Sequence, residues 1–236
     1  MSLKVIAGQI TYIERLYIYH YVPGAHALWI SLDSWEPPES PLEFLRGEGR
    51  QLSVEEIVKR ALKYSTKTLV FDGPLPYEVA EELLRRGFRV AVRYDAPLEL
   101  PKGASLLMQT SSPEDLRAQL KAYDDVHLEV YPTNLEALEE APKDLPVHLF
   151  SWPDYLKVEK MGFYYVYNHT QPYREDTKCP RCGTPNAVRE NDTLLGWDGP
   201  RCRRCGFRLH YHAEETPEVP RVIREWLSWR FSVPVL

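Results

Sequence analysis

Four cysteines, Cys179, Cys182, Cys202 and Cys205, stand as two C-x-x-C pairs nineteen residues apart, and the 236-residue chain has no others. A C-x-x-C turn aims two thiolates at one point. Two facing turns give four sulfurs in a tetrahedron, the geometry Zn²⁺ takes at about 2.3 Å per Zn–S bond. Gly183 and Gly206 each follow the second cysteine of a pair, where such a turn commonly needs positive φ. Two disulfides are the alternative, but a chain opening on Met-Ser-Leu-Lys-Val-Ile-Ala-Gly carries no secretion signal to go with them. A redox C-x-x-C uses one pair at the start of a helix, not two matched pairs. The pattern predicts a zinc ribbon over 176–212. Its four sulfurs leave no open position for water, so the metal is expected to be structural.

A second set of groups falls at the carboxyl ends of predicted strands: Asp33, Asp72, Arg93, Glu129, His148 and His169, with Asp95 and Gln109 beside them. In a β/α barrel, functional groups project from those ends. Acids, an arginine and two histidines at one rim could bind an anion or a metal, or move protons. A polar rim that only solvates strand ends would have the same composition. His20 is open to the same two readings. His210 and His212 flank the ribbon, but four cysteines already suffice for the metal.

The elements that must position these groups alternate. Residues 4–19 are β-branched and aromatic and read as strand or hairpin, and Pro23-Gly24 as a turn. A buried strand follows over 27–33, then a Pro/Glu/Ser-rich loop, Trp35 to Pro41. Ser53-Val-Glu-Glu56 is a capping box, with Val54, Ile57, Val58, Ala61 and Leu62 on one helical face behind it. Strands are expected at 68–72, 88–94, 105–109, 126–130, 147–151 and 163–167. Helices are expected at 77–86, closed by Gly87, after Ser112-Pro113, at 134–141 and at 220–231. In the last of these, Val222, Trp226 and Trp229 share a face and read as core packing. Repeated strand–helix units imply a parallel sheet, read here as a partial or reduced (β/α) barrel over 1–175. The ribbon over 176–212 and a helix over 213–236 packing on the barrel complete the chain. No G-x-G-x-x-G follows a strand and no P-loop is present, which removes both phosphate-binding readings.

Charge narrows the partners. The net charge is −5, yet seven Lys/Arg against four acids between Asp176 and His212 make the ribbon +3 and the remainder −8. Arg181, Arg201, Arg203, Arg204 and Arg208, near Tyr211 and Trp197, could touch nucleic-acid phosphates. Without a recognition motif, a solvated charged face is the favoured reading. No long apolar span is present, so a cytoplasmic protein with a protein partner and no membrane contact is expected.

Several motifs carry a resemblance. Tyr19-His-Tyr-Val-Pro-Gly-Ala-His-Ala-Leu-Trp-Ile-Ser31, Val147-His-Leu-Phe-Ser-Trp-Pro-Asp-Tyr155, and Tyr165-Val-Tyr-Asn-His169 followed by the cysteine pairs stand in one order, with Gln51–Ala61 between the first two. Together they resemble the AmmeMemoRadiSam-system radical SAM proteins from about residue 19 to 210. In that family the strand equivalent to 28–31 leads into C-x₃-C-x₂-C, which holds the 4Fe–4S cluster that cleaves S-adenosylmethionine. Here that place reads Leu32-Asp-Ser-Trp-Glu-Pro-Pro-Glu-Ser-Pro41, without a cysteine. The family's Asn-Glu-Pro stretch is replaced by Phe71-Asp-Gly-Pro-Leu-Pro76. Thiolates hold such clusters, so the resemblance implies a relative with no 4Fe–4S cluster and no radical chemistry. Trp35 and three prolines in the replacement loop are expected to fill the former pocket. The leading expectation is a catalytically degenerate zinc-binding protein acting as a binding or scaffold module. The alternatives are an enzyme of another class at the barrel rim, a hydrolase or transferase, and a nucleic-acid-associated ribbon protein.

Overall fold

The computed structural model describes residues 1–32, 49–122, 124–170, 174–230 and 232–235. Asp33, Trp35 and the proline-rich loop lie outside the described residues. β1 (Ser2–Tyr12) runs into a 3-10 turn (Ile13–Leu16), and residues 17–25 lead irregularly to β2 (His26–Leu32). Then come β3 (Arg50–Ser53), α1 (Val54–Lys63), β4 (Thr68–Asp72), α2 (Tyr77–Arg85), β5 (Arg89–Tyr94) and β6 (Ser105–Thr110). They are followed by α3 (Pro113–Leu120), β7 (His127–Pro132), a 3-10 turn (Leu135–Leu138), β8 (Val147–Leu149), α4 (Trp152–Lys160) and β9 (Val166–Asn168). The ribbon strands are β10 (Glu175–Lys178), β11 (Pro185–Glu190) and β12 (Thr193–Trp197); α5 (Arg221–Trp229) and β13 (Val233–Pro234) close the order.

The parallel sheet expected from the alternation is present. β2 and β4 to β9 pair in parallel in chain order, and β1 lies antiparallel beside β2, β3 and β13. Among the described residues no pairing joins β9 back to β1, so the ladder is open where a closed barrel would continue. A separate antiparallel sheet holds β10, β11 and β12.

Period-2 alternation divides the main sheet into two faces. Leu28, Ile30, Leu69, Phe71, Val90, Val92, Leu106, Met108, Leu128, Val130 and Val147 share one apolar core with the helices. α1 belongs there because the Ser53 hydroxyl accepts from Glu56 N–H and the Glu56 carboxylate accepts from Ser53 N–H, both halves of a capping box. Ala27, Trp29, Val70, Ala91 and Leu107 face the other way, against residues 13–25.

Four local expectations are corrected. The strand over 4–19 ends at Tyr12: Ile13, Leu16, Ile18 and Tyr19 are fully buried, so the stretch stays apolar after it leaves the sheet, and composition alone cannot mark the break. The helix expected at 134–141 is a single 3-10 turn. In α5 the buried residues are Ile223 and Leu227, whereas Val222, Trp226 and Trp229 are exposed. Both faces of that helix are apolar, and the compact aliphatic one fits the core. Leu62 of α1 is exposed, at the margin of its stripe.

Candidate metal centre and buried histidine cluster

Each cysteine pair is built by the same turn. Gly183 N–H donates to Cys179 O at 2.8 Å and Cys179 N–H to Thr184 O at 2.9 Å. Gly206 N–H donates to Cys202 O and Cys202 N–H to Phe207 O, both at 2.9 Å. Gly183 and Gly206 have φ of 71° and 72°, the left-handed region that the sequence pattern anticipates. The four thiol sulfurs lie within 4.8 Å of one another, with Cys179–Cys205 at 3.6 Å and Cys182–Cys202 at 3.5 Å. Those separations are far beyond a disulfide and close to the ~3.8 Å edge of a tetrahedron with 2.3 Å bonds. The donor set therefore fits one metal ion. The Cys182 thiol is drawn down to about 6, chiefly by the adjoining Thr184 hydroxyl, whereas burial pushes the Cys179 thiol up to about 12. His210 and His212 stand elsewhere, stacked on and against His127.

The strand-end groups form two separate sets. Ser31, Asp72, Arg93, Leu107 and Glu129 occupy one register row across β2, β4, β5, β6 and β7. Leu107 divides it. On one side Arg93 donates to Asp72 through Nε at 2.7 Å and Nη2 at 2.6 Å, and Trp29 Nε1 donates to the same carboxylate at 2.7 Å. The guanidinium also lies 5.2 Å from the Trp29 ring. Asp72 is fully buried and its oxygens are taken, so this bidentate pair joins strands rather than waiting for a ligand. Asp95 is exposed and outside the row.

On the other side, six of the seven histidines gather around Glu129. The carboxylate accepts from Tyr19 N–H at 3.0 Å, His20 N–H at 2.9 Å and His148 Nε2 at 2.8 Å, and His127 Nε2 stands 3.4 Å away. Burial alone would push its carboxyl up. The hydrogen bonds and charges of His127 and His148 outweigh burial and hold it well below the usual carboxylate range. In the neutral tautomer of His148, Nε2–H serves Glu129, and Nδ1 then accepts from His169 Nε2–H at 2.9 Å. His169 Nδ1 faces Glu175 Oε2 at 3.5 Å. Burial pushes the rings of His20 and His169 well below their ordinary value.

Residues 17–25 and the ribbon fill this face together. His20 Nδ1–H donates to His210 O at 2.7 Å, which leaves Nε2 to accept from the Tyr167 hydroxyl. Thr177 in turn serves Tyr167 at 2.7 Å, and the buried Arg189 donates to Thr177 at 2.8 Å and to Tyr19 O at 2.9 Å. Tyr19, Tyr165, Tyr167, Cys179, Cys202, Leu209 and Tyr211 form one packed cluster across the two sheets. Tyr211 is buried against His20, so it cannot serve as a stacking platform for a nucleic-acid base. The ribbon arginines 181, 201, 203, 204 and 208 are exposed; Arg203 pairs with Asp198 and Arg208 with Glu214.

Sequence reasoning missed Glu175, Asp192, His127 and Arg189. Glu175 and Asp192 both accept from the Tyr19 hydroxyl, at 3.1 and 3.0 Å, and burial pushes Glu175 up to about 7. Strand parity could have placed His127 on the face of Glu129. Nothing in the sequence marks a ribbon arginine for the interior. No family model, curated protein or solved structure matches this chain.

Proposed function

We propose that this chain is a zinc-binding scaffold or binding protein, a catalytically degenerate relative of the AmmeMemoRadiSam-system radical SAM proteins with a reduced β/α barrel. The observation that carries the reading is the occupation of the helix-free face. In a barrel that face is the interior, and groups near the carboxyl ends of its strands would meet a ligand. Here Glu129 is met by the backbone of Tyr19 and His20, and the ribbon inserts Arg189 behind them. The sequence expectation gave the filling role to Trp35. The described filling comes from the Tyr-His-Tyr segment and the ribbon.

Zinc fits the reading because four thiolates at tetrahedral spacing close a d¹⁰ ion's coordination and leave no site for chemistry. The exposed Trp226 and Trp229 on α5 supply aromatic anchors of the kind that protein partners bury, which supports a protein partner over nucleic acid.

Calorimetric titration of the zinc-loaded protein with S-adenosylmethionine tests the proposal. No saturable heat is expected at millimolar ligand. Binding in the micromolar range would require an open lumen and would overturn the scaffold reading.

A further inference from the structure

A cleft of about 320 Å³ opens where β9 gives way to the ribbon, between α4 and β10, and Trp152, Tyr155, Arg174, Glu175, Asp176 and Lys178 contribute to its walls. We propose that it is a ligand site for a flat aromatic ring bearing one acidic group, which stacks on Trp152 and pairs with Lys178. This goes beyond the scaffold reading, which concerns the filled face of the sheet.

The wall supplies the ring preference. Trp152 and Tyr155, three residues apart on α4, lie with ring centroids 5.4 Å apart and planes 18° apart, and Trp152 remains 46% exposed. A stacked, near-parallel pair whose tryptophan is still half exposed at the mouth of a cleft leaves aromatic surface as a platform for another ring. The volume is at the low end for small-molecule sites and suits one or two fused rings.

The charges supply the acidic group. Arg174 is already engaged by Asp176, through Nε at 2.9 and 3.1 Å. Lys178 is exposed and forms no ion pair with the described residues, so it is the cation left for a ligand. Glu175 sets the balance. Its carboxyl accepts from Asn168 N–H and the Tyr19 hydroxyl and faces His169 Nδ1; Asp192 shares the Tyr19 hydroxyl and Arg189 lies behind that ring. Burial and the neighbouring Asp192 keep it neutral up to about pH 7. Below that pH the charge of Lys178 is uncompensated in the cleft; above it the Glu175 carboxylate opposes an anion. Affinity for an acidic ring should therefore fall as pH rises through about 7.

The test uses calorimetry on the full, metal-loaded chain with 2-naphthoate as probe and 2-naphthamide and acetate as controls, at about pH 6 and about pH 8. Saturable naphthoate binding at the lower pH is expected, about threefold or more weaker at the higher, with both controls weaker still. Trp152→Ala should lose about tenfold and Lys178→Gln about threefold, and both positions are exposed enough to leave the fold intact. Glu175→Gln should make the affinity equal at the two pH values. No saturable naphthoate heat, equal affinity for the amide, or undiminished binding in Trp152→Ala would overturn the site. If Glu175→Gln fails to fold, the wild-type ratio decides: equal affinity at both pH values rejects the part given to Glu175. None of these results bears on the S-adenosylmethionine titration, so the two proposals fail separately.

Discussion

Glu129 is fully buried and carries its charge because three groups donate hydrogen bonds to it, Tyr19 N–H, His20 N–H and His148 Nε2–H, with His127 Nε2 standing 3.4 Å away. Burial holds the rings of His20 and His169 well below their ordinary value, and His210 and His212 are pushed down to about 4. A histidine held below its ordinary 6.5 contributes stability that is fully present above that value and is lost as pH falls toward about 4. Glu129, depressed from 4.5, loses its contribution only below that value. Glu175 has the opposite sign: raised to about 7, its contribution is present below 4.5 and is lost as pH rises through about 7. Five rings are held down (His20, His26, His169, His210 and His212) against three acids held up (Glu14, Glu175 and Asp192), so the acid side dominates. The urea midpoint is expected to fall between about pH 7 and about pH 5, by on the order of 2 kcal/mol in stability. Zinc content should be checked on the same samples. A midpoint that holds or rises would mean that these rings are charged or exposed in the folded state.

At the scale of elements, the sequence was most legible where a local rule has one solution. The capping box at Ser53, the Pro113 helix start and the paired cysteine turns all stand as read. Continuous apolar runs located the parallel strands to within a residue or two, because a strand covered on both faces has no polar side to confuse its ends; the exception is β9, which begins at Val166, three residues after its expected start. Helix rotation was not legible in α5, where aromatic and aliphatic stripes compete. The structure makes a direct forecast there. Leu227→Ala should cost about 2–5 kcal/mol for the cavity it leaves. Trp229→Ala, at a position 88% exposed, should stay within about 0.5 kcal/mol. Denaturant midpoints for the two variants check this, and a larger loss at Trp229 would restore the stripe to the core. Residues 17–25 were illegible for another reason. Their conformation is set by partners far along the chain, such as Glu129 and His210, and no local pattern encodes those contacts.

At the scale of the whole molecule, the candidate strand-end residues proved legible as a face but not as a site. Parity put Asp72, Arg93, Glu129 and His148 on the same side of the sheet, yet Leu107 splits them into a structural ion pair and a histidine cluster. The four cysteines were legible as a cluster that could hold a metal ion, but the ribbon was not legible as part of the interior. Arg189, Leu209 and Tyr211 pack with Tyr19, Tyr165 and Tyr167, so the module that carries the cysteine cluster is joined to the inner surface of the larger sheet. A scaffold role requires a closed, redox-inert ion at the four cysteines and no cluster elsewhere in the chain. Elemental analysis with an absorption spectrum, after anaerobic purification, tests this most directly. One zinc per chain, no iron and no thiolate-to-iron absorption near ~400 nm are expected. A brown protein with stoichiometric iron would contradict the account and return redox chemistry to this fold.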